Sequence, residues 1–340
     1  MARTNKKHRS QAPVALVYFL TLLLALSLVG GVSYYMLKKY KVFESTTTDS
    51  KADSARSLNI LFARLSDQGD FKDLCVMRID SDKRQITIVP QTDVTKTRDS
   101  GKTYKEALAE GGMKKLERAV SDNFGISIDY YMTVSNSAFE QVADFLGGMS
   151  YTAPQELYYI SQDSNKDDIS VPKGDLVTLT GRQIINLASI DSIFNTKKQG
   201  NLEFLSAALE QLVNNGFRQA DVTKDNLFNL YEILSKNSDT NITKEAFNEI
   251  RKYMNVMLEE KDIPAKSLNP TGMWNADFTA FTMNKEYLST VASAFGVAFD
   301  ASKQSGAVTQ PTEPTEPTEP PAAAVPETTP AQATTTTKAQ

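Results

Sequence analysis

The sequence predicts an α/β fold, sandwich-like in the α+β sense, with one central mixed β-sheet flanked by helices. Two observations carry that expectation. Short apolar runs separated by turn residues fill Leu58 to Val89, and an apolar period of three to four residues takes over beyond them, broken by further strands. Leu58–Leu65 (LNILFARL) has the length and content of a strand. Leu74–Ile79 and Gln85–Val89 flank the polar turn Ser81-Asp82-Lys83-Arg84 and read as a hairpin. Met113, Leu116, Val120 and Phe124 share one face of a helix, with Gly125 at its C-cap. Asp129–Val134 is a strand in which Tyr130 and Tyr131 alternate, one toward the core and the other toward the surface. Phe139, Val142 and Leu146 mark a helix stopped by Gly147-Gly148. Thr180 caps a helix through Ile184 and Leu187, and Phe204, Leu205, Ala208 and Leu212 mark the next. Two more helical stripes follow, Leu227-Leu230-Leu234 and Phe247-Ile250-Met254-Met257, and residues 274–299 close the unit with a strand and a helix.

Composition removes whole classes of chemistry. Among 340 residues there is one histidine, His8, so everything downstream works without imidazole. That excludes Ser-His-Asp and Cys-His nucleophiles and His-ligated metals. Cys75 is the only cysteine, which excludes an intrachain disulfide and Cys-based zinc sites. It reads as a small buried apolar residue. The formal net charge is -4, and residues 1–41 contribute seven basic residues and no acid, so the remainder carries -11. A surface that acidic does not meet nucleic-acid phosphates.

Five segments are expected. Residues 1–13 are a basic tail. Val14 to Met36 is an uncharged apolar run of 23 residues, about 35 Å as a helix against a bilayer core of about 30 Å. It reads as a transmembrane anchor in preference to a cleaved signal peptide, whose apolar stretch is about 7–15 residues. A short basic tail ahead of it places the N-terminus in the cytoplasm and the main domain outside the cell. Residues 37–56 are a linker and 57–301 the folded domain. Residues 302–340, with three Thr-Glu-Pro repeats in Thr312–Pro320, are expected to be disordered. Asp163-Ser164-Asn165-Lys166-Asp167 has the opening spacing of a calcium loop but lacks its Gly and Glu, and reads as a solvated polar loop.

Gly111–Pro154 carries a set of motifs in order: Gly111-Gly112, Phe124-Gly125-Ile126, Asp129-Tyr130-Tyr131, Phe139 and Leu146-Gly147-Gly148. Lys173-Gly174, Leu179-Thr180-Gly181 and Glu203-Phe204-Leu205 follow. In these the chain resembles the LytR–CpsA–Psr (LCP) family of Gram-positive envelope proteins. The resemblance implies the LCP fold and a role in cell-wall glycopolymer assembly. Its members pass a polyprenyl-pyrophosphate-linked glycan to peptidoglycan with Mg²⁺, gripping phosphates with arginines and using carboxylates for metal or acceptor.

Most of the family's charged motif is replaced. Its Pro-Arg-Asp reads Pro90-Gln91-Thr92, with Asp93 one place late, and Lys72 falls in the slot of an acid, beside Asp73. Its Arg-x-Arg falls on Ser189-Ile190-Asp191 and its paired arginines on Gln199-Gly200. The family-motif positions are therefore Lys72, Asp73, Gln91 and Asp93. Arg64, Lys72, Lys96, Arg98, Lys102, Lys105, Lys197 and Lys198 are candidates for an anion pocket rebuilt from other basic residues, and Asp73 and Asp93 for the metal. The alternative is that these are ordinary solvated loop charges. Two functions stay open: a protein that binds a polyprenyl-linked glycan or an envelope-assembly partner with weak or no catalysis, and an active Mg²⁺-dependent phosphotransferase. A sensor signalling through the anchor is a third class, disfavoured by a cytoplasmic part of about a dozen residues.

Overall fold

Alternation along the first strands decides the architecture. In β1 (Ser57–Leu65) Leu61 and Ala63 point to one side, and Leu58, Ile60 and Phe62 to the other. In β2 (Phe71–Asp80) Leu74 and Val76 oppose Cys75 and Ile79, and in β3 (Gln85–Thr92) Val89 opposes Ile86 and Ile88. Strands apolar on both faces must be covered on both faces. The computed structural model describes residues 57–161, 168–259 and 264–299, all in the second of two units, 1–56 and 57–340. The expected tail, anchor, linker, calcium-like loop and Thr/Pro segment lie outside the described residues. No helix among the described residues is long and apolar enough to cross a membrane.

The sheet has five strands in the order β4-β1-β2-β3-β9, with β4 (Tyr130–Ser135) and β9 (Ala265–Ser267) at its edges. The pairs β1–β2 and β2–β3 are antiparallel, whereas β1–β4 and β3–β9 are parallel, so the sheet is mixed as expected. On one face lie α1 (Tyr104–Phe124) and α7 (Lys285–Phe295), which bury Leu116, Val120, Phe124, Tyr287 and Val291 against Leu61 and Val76. The other face carries α4 (Lys198–Arg218), α5 (Ala220–Ser235) and α6 (Lys244–Glu259), through Phe217, Phe247, Ile250 and Met257. A third cluster joins α4 to α2 (Asn136–Phe145), α3 (Gly181–Ser189) and two small sheets. These pair β5 (Met149–Thr152) with β8 (Leu176–Leu179), and β6 (Leu157–Tyr159) with β7 (Ile169–Val171). A last hairpin, β10 (Gly272–Trp274) and β11 (Phe281–Met283), precedes α7.

Two expectations change. Tyr131 is buried in the α1/α7 core, but Tyr130 packs against the opposite core instead of facing solvent, because both faces of β4 are covered. α1 begins nine residues before its apolar stripe, held by a reciprocal cap between Thr103 and Glu106, and Gly111 and Gly112 break it with non-helical angles. Gly125 and Gly148 both take positive φ, 67° and 69°. A Cβ on Gly125 would meet nothing within 4 Å, whereas one on Gly148 would lie 2.2 Å from the Leu179 carbonyl oxygen. Gly125→Ala should therefore cost about 1–2 kcal/mol, the left-handed penalty alone. Gly148→Ala should cost about 3 kcal/mol or more, the clash adding to it. Urea denaturation of the two variants checks this, and equal losses would show that β8 yields freely.

Candidate functional site

At one end of the sheet the face covered by α4 ceases to be apolar. Arg64 continues the row Leu58-Ile60-Phe62 along β1, and the strand registers place Asp73 directly opposite it and Thr92 opposite Asp73. Arg64 is 5% exposed and Asp73 9%. The guanidinium Nε lies 3.0 Å from both Asp73 carboxylate oxygens, and Nη2 also donates to Oδ2. The remaining donors reach Asn136 Oδ1 at 2.7 Å, on the first residue of α2, and Ser189 Oγ at 3.3 Å, on the last of α3. One arginine thus ties β1, β2, α2 and α3 together in the bidentate geometry that lysine cannot supply.

This row floors a cleft of about 250 Å³. Its walls are Phe71, Lys72, Asp93, Lys105, Ser189, Asp191, Lys198, Asn201, Leu202 and Leu205. Lys105 comes from the first turn of α1, whose backbone N–H at that residue donates to the Asp93 carbonyl at 2.8 Å. Lys198 opens α4 and pairs with Asp191 at 3.4 Å, and Lys72 pairs with Asp70 at 3.7 Å. Burial pushes the Asp93 carboxyl above its ordinary pKa. The Thr92 hydroxyl, which donates to it at 3.1 Å, and the charges of Lys105 and Lys198 pull it back, and Asp73 adds a small upward push.

Four of the eight candidate cations, Arg64, Lys72, Lys105 and Lys198, therefore meet in one cleft with both candidate metal ligands. The acid at the head of β2 that meets the arginine is Asp73, with Lys72 at the rim. The other four cations face elsewhere. Lys96 is exposed on the loop after β3, and Arg98 donates to the Asp122 carbonyl at 3.2 Å. Lys102 pairs with Glu110 beside a separate surface groove, and the Lys197 ammonium sits 4.7 Å above the Phe278 ring. The loop that carries Lys96, Arg98 and Lys102 is fastened to the β10–β11 hairpin instead, because Val94 and Lys96 hydrogen-bond to Phe281.

Gln91 is also absent from the cleft. It shares the face of Val89, is fully buried, and donates to the Tyr287 hydroxyl at 2.9 Å on the opposite side of the sheet. Gly200 has no room for a side chain, since a Cβ there would lie 2.5 Å from that of Phe194. Cys75 is buried with its thiol pushed up to about 12, chiefly by burial, and is out of the chemistry. Asn136 and Asn201 were not read from the sequence. Asn201 is 6% exposed and donates to the Leu187 and Ile190 carbonyls at 2.6 and 3.0 Å, holding the α3–α4 loop. Its signal was an amide inside the apolar stripe of α4.

No cluster of three or more His, Cys, Asp or Glu residues that could hold a metal occurs among the described residues. Asp73 and Asp93 supply two carboxylates to one cleft. That donor set suits Mg²⁺, which is commonly held by one or two carboxylates and completes its shell with water and substrate phosphates.

Removing the partner of a buried charge exposes the cost of burying it. Asp73→Ala should destabilise the fold by about 3–5 kcal/mol, and a loss under about 1 kcal/mol in urea melts would mean that Arg64 reaches solvent. The raised pKa of Asp93 means that the folded chain holds this proton more tightly than the unfolded one. Its contribution to stability is thus full below the ordinary value of 3.8 and is lost as pH rises through the folded-state pKa. Asp93→Asn should therefore gain on the wild type between pH 3.5 and pH 7, read as the difference in urea midpoints. A constant difference would contradict the shift.

Comparison with known proteins bears on the fold and the family. The LytR_cpsA_psr family model matches residues 33–295. The polyisoprenyl-teichoic acid–peptidoglycan teichoic acid transferase TagU of Bacillus subtilis is 23% identical over 259 residues, covering 70% of this chain and 81% of TagU. Its namesake in Bacillus licheniformis is 22% identical, covering 63% and 73%. Among solved structures, B. subtilis TagV superposes with a TM-score of 0.55 at 17% identity, over 72% of this chain and 98% of TagV. A Streptococcus agalactiae protein superposes with a TM-score of 0.60 at 14% identity, over 75% and 93%. At those identities the structures establish the shared fold alone, and the match over well over half of its length shows that this chain belongs to the LytR_cpsA_psr family.

Proposed function

We propose that this chain binds a polyprenyl-linked, phosphate-bearing cell-wall glycan and serves its attachment to peptidoglycan, with binding outweighing turnover. One observation carries the reading. The row Ile60-Phe62-Arg64 on β1 runs from an apolar cavity into the charged cleft, with alternate residues about 7 Å apart. The cavity, about 220 Å³, is lined by Ile60, Phe62, Met132, Leu227, Leu230 and Phe247 among others, with almost no polar surface. An amphiphile with an apolar chain and an anionic head fits that gradient. The curated relatives are named for moving a polyisoprenyl-linked teichoic acid, and the same class of ligand is carried over here.

Within the cleft Lys105, Lys198 and Lys72 face the anionic head, and Arg64 fixes the floor. Asp73 and Asp93 would hold Mg²⁺ together with the phosphate oxygens, and the ion would neutralise charge on the head group. Turnover is weak on this reading because the single arginine is already paired with Asp73, whereas transition-state charge calls for donors free to meet it. An active phosphotransferase is the second reading, favoured by Asp93, a carboxyl with a raised pKa beside two lysines, which suits a base accepting a hydroxyl proton. The apolar run at residues 14–36 would anchor the domain on the outer face of the membrane, where other envelope-assembly proteins are its partners.

The test uses the full chain in detergent with a short-chain polyprenyl pyrophosphate, with and without Mg²⁺. At 100 times its dissociation constant the ligand should stabilise the fold by about 2.7 kcal/mol, with Mg²⁺ needed for the full effect. Phe62→Asp should abolish the shift. No stabilisation under any condition would sink the proposal. Transfer of a lipid-linked glycan to peptidoglycan at many turnovers, lost in Asp93→Asn, would decide for the second reading.

A further inference from the structure

A groove of about 420 Å³ runs along α1, apart from the cleft. Thr97, Ala107 and Ala119, all buried, form its floor. Its walls are exposed and mostly basic, with Lys114, Lys115 and Arg118 on α1 and Lys102 on the loop before it. The loop wall is fixed in place. Asn123, 3% exposed, accepts from the Arg98 N–H at 2.7 Å and donates to the Lys96 carbonyl at 2.9 Å. The Thr97 N–H also donates to the Lys102 carbonyl at 2.6 Å. The groove is therefore built before anything enters it.

Its charges are unevenly paired. Glu110, just ahead of the Gly111-Gly112 break, bridges Lys102 and Lys115, one acid between two bases. Asp99 and Asp122 also line the groove, yet among the described residues neither pairs with Lys114 or Arg118. Those two cations stand one turn apart on α1, about 6 Å along its axis, and leave their charges toward solvent. A basic rim on a chain that carries -11 beyond residue 41 is complementary to an acidic segment.

We propose that the groove holds the Thr-Glu-Pro segment of the same chain, Thr312–Pro320. Glu313, Glu316 and Glu319 recur there at every third residue, and no basic residue occurs from 304 to 337. Proline at every third position favours polyproline II, which turns once per three residues at about 3.1 Å each. The three carboxylates then share one edge, about 9 Å apart, within reach of Lys114 and Arg118 on their long stems. The chain also leaves the domain beside α1. Phe299, the last described residue, packs against the core that α1 and α7 build. Residues 300–311 span up to about 37 Å in that conformation, twice the radius of gyration of about 18 Å expected of a domain of this size. On so short a tether the segment meets the groove at an effective concentration of about a millimolar, so a few exposed ion pairs suffice. Docked there, it screens the rim of α1 from other acidic chains. The docking is independent of what the cleft binds.

Carbodiimide joins a carboxylate directly to a lysine amine that touches it, and is applied to the full chain in detergent at about 0.1 M salt. Peptide mapping should find Glu313, Glu316 or Glu319 joined to Lys102, Lys114 or Lys115, with the Lys224–Glu259 pair as internal reference. Arg118→Gln removes no group that can be joined, yet should lower the yield at Lys114 about five-fold and leave the reference unchanged. Mixing isotope-labelled with unlabelled chains separates joins within one chain from joins between two. Tail glutamates joined to lysines all over the domain without preference would overturn the proposal. So would joins found only between chains, or an Arg118→Gln chain that behaves as the wild type. A poly-glutamate peptide joined to Lys114 where the chain's own segment is not would assign the groove to a foreign acidic partner and overturn it as well.

Discussion

The Arg64–Asp73 pair is the contact on which the rest of the site depends. It joins neighbouring strands at the point where an apolar sheet face becomes polar, and its spare donors reach the start of α2 and the end of α3. Bringing both charges out of water costs about as much as their attraction returns, so the pair adds little net stability. Its effect is positional. With Asn136 and Ser189 drawn to one guanidinium, the loops that wall the cleft take a single arrangement. Asp73 is thereby held in a row with Thr92, and its charge is felt at Asp93.

α4 extends that constraint through the domain. It presents Phe217 to the sheet-side core and Phe204, Ala208 and Leu212 to the third cluster, while Lys198, Asn201, Leu202 and Leu205 face the cleft. Its amides also satisfy a sheet edge, since Asn214 both donates to and accepts from the backbone of Ala265 in β9. A helix committed on three sides cannot slide toward a ligand without disturbing two cores. The cleft is therefore preformed on the α4 side, and adaptation within it is left to long lysine side chains; α5, where only Ala220 and Thr223 are buried, lines the apolar cavity.

The fold was legible because its signals are local and repeated. Strand alternation, the helix period, Gly125 and the Thr180 cap each indicate an element without help from distant residues. The site was legible in part. Arg64, Asp73 and Asp93 sit at strand ends, so knowing the strands located them. Gln91 was also within reach of that logic, because two residues from Val89 it must share the α1/α7 face; family spacing outweighed alternation there. The loop cations were not legible. The path of residues 94–102 is set by pairing with Phe281, nearly 190 residues away, and no local pattern encodes whether Lys96 or Lys105 turns inward. Lys105 does so because α1 starts at Tyr104, and that start is diluted in the sequence by polar residues and Gly111-Gly112.

The missing arginines are a property of this backbone as well as of its sequence. An arginine at Gly200 would drive its Cβ into Phe194, and one at Gln91 would bury an unpaired charge against Tyr287 and Thr95. Restoring the family residues one at a time would therefore damage the core before reaching the cleft. The positive charge that remains arrives by other routes, on Lys105 from the start of α1 and Lys198 from the start of α4, each a flexible point charge without a planar fork. Such groups attract an anionic head and follow its position without fixing the geometry of a transition state. Gln199, beside Gly200 in the first turn of α4, accepts from the Trp274 indole N–H and donates to Glu203 and to the Pro270 carbonyl, so this turn is tied to the β10–β11 hairpin and brings no charge of its own. The positive charge of this cleft is therefore set by where two helices begin, at Tyr104 and at Lys198, and not by the strand end that carries Gln91.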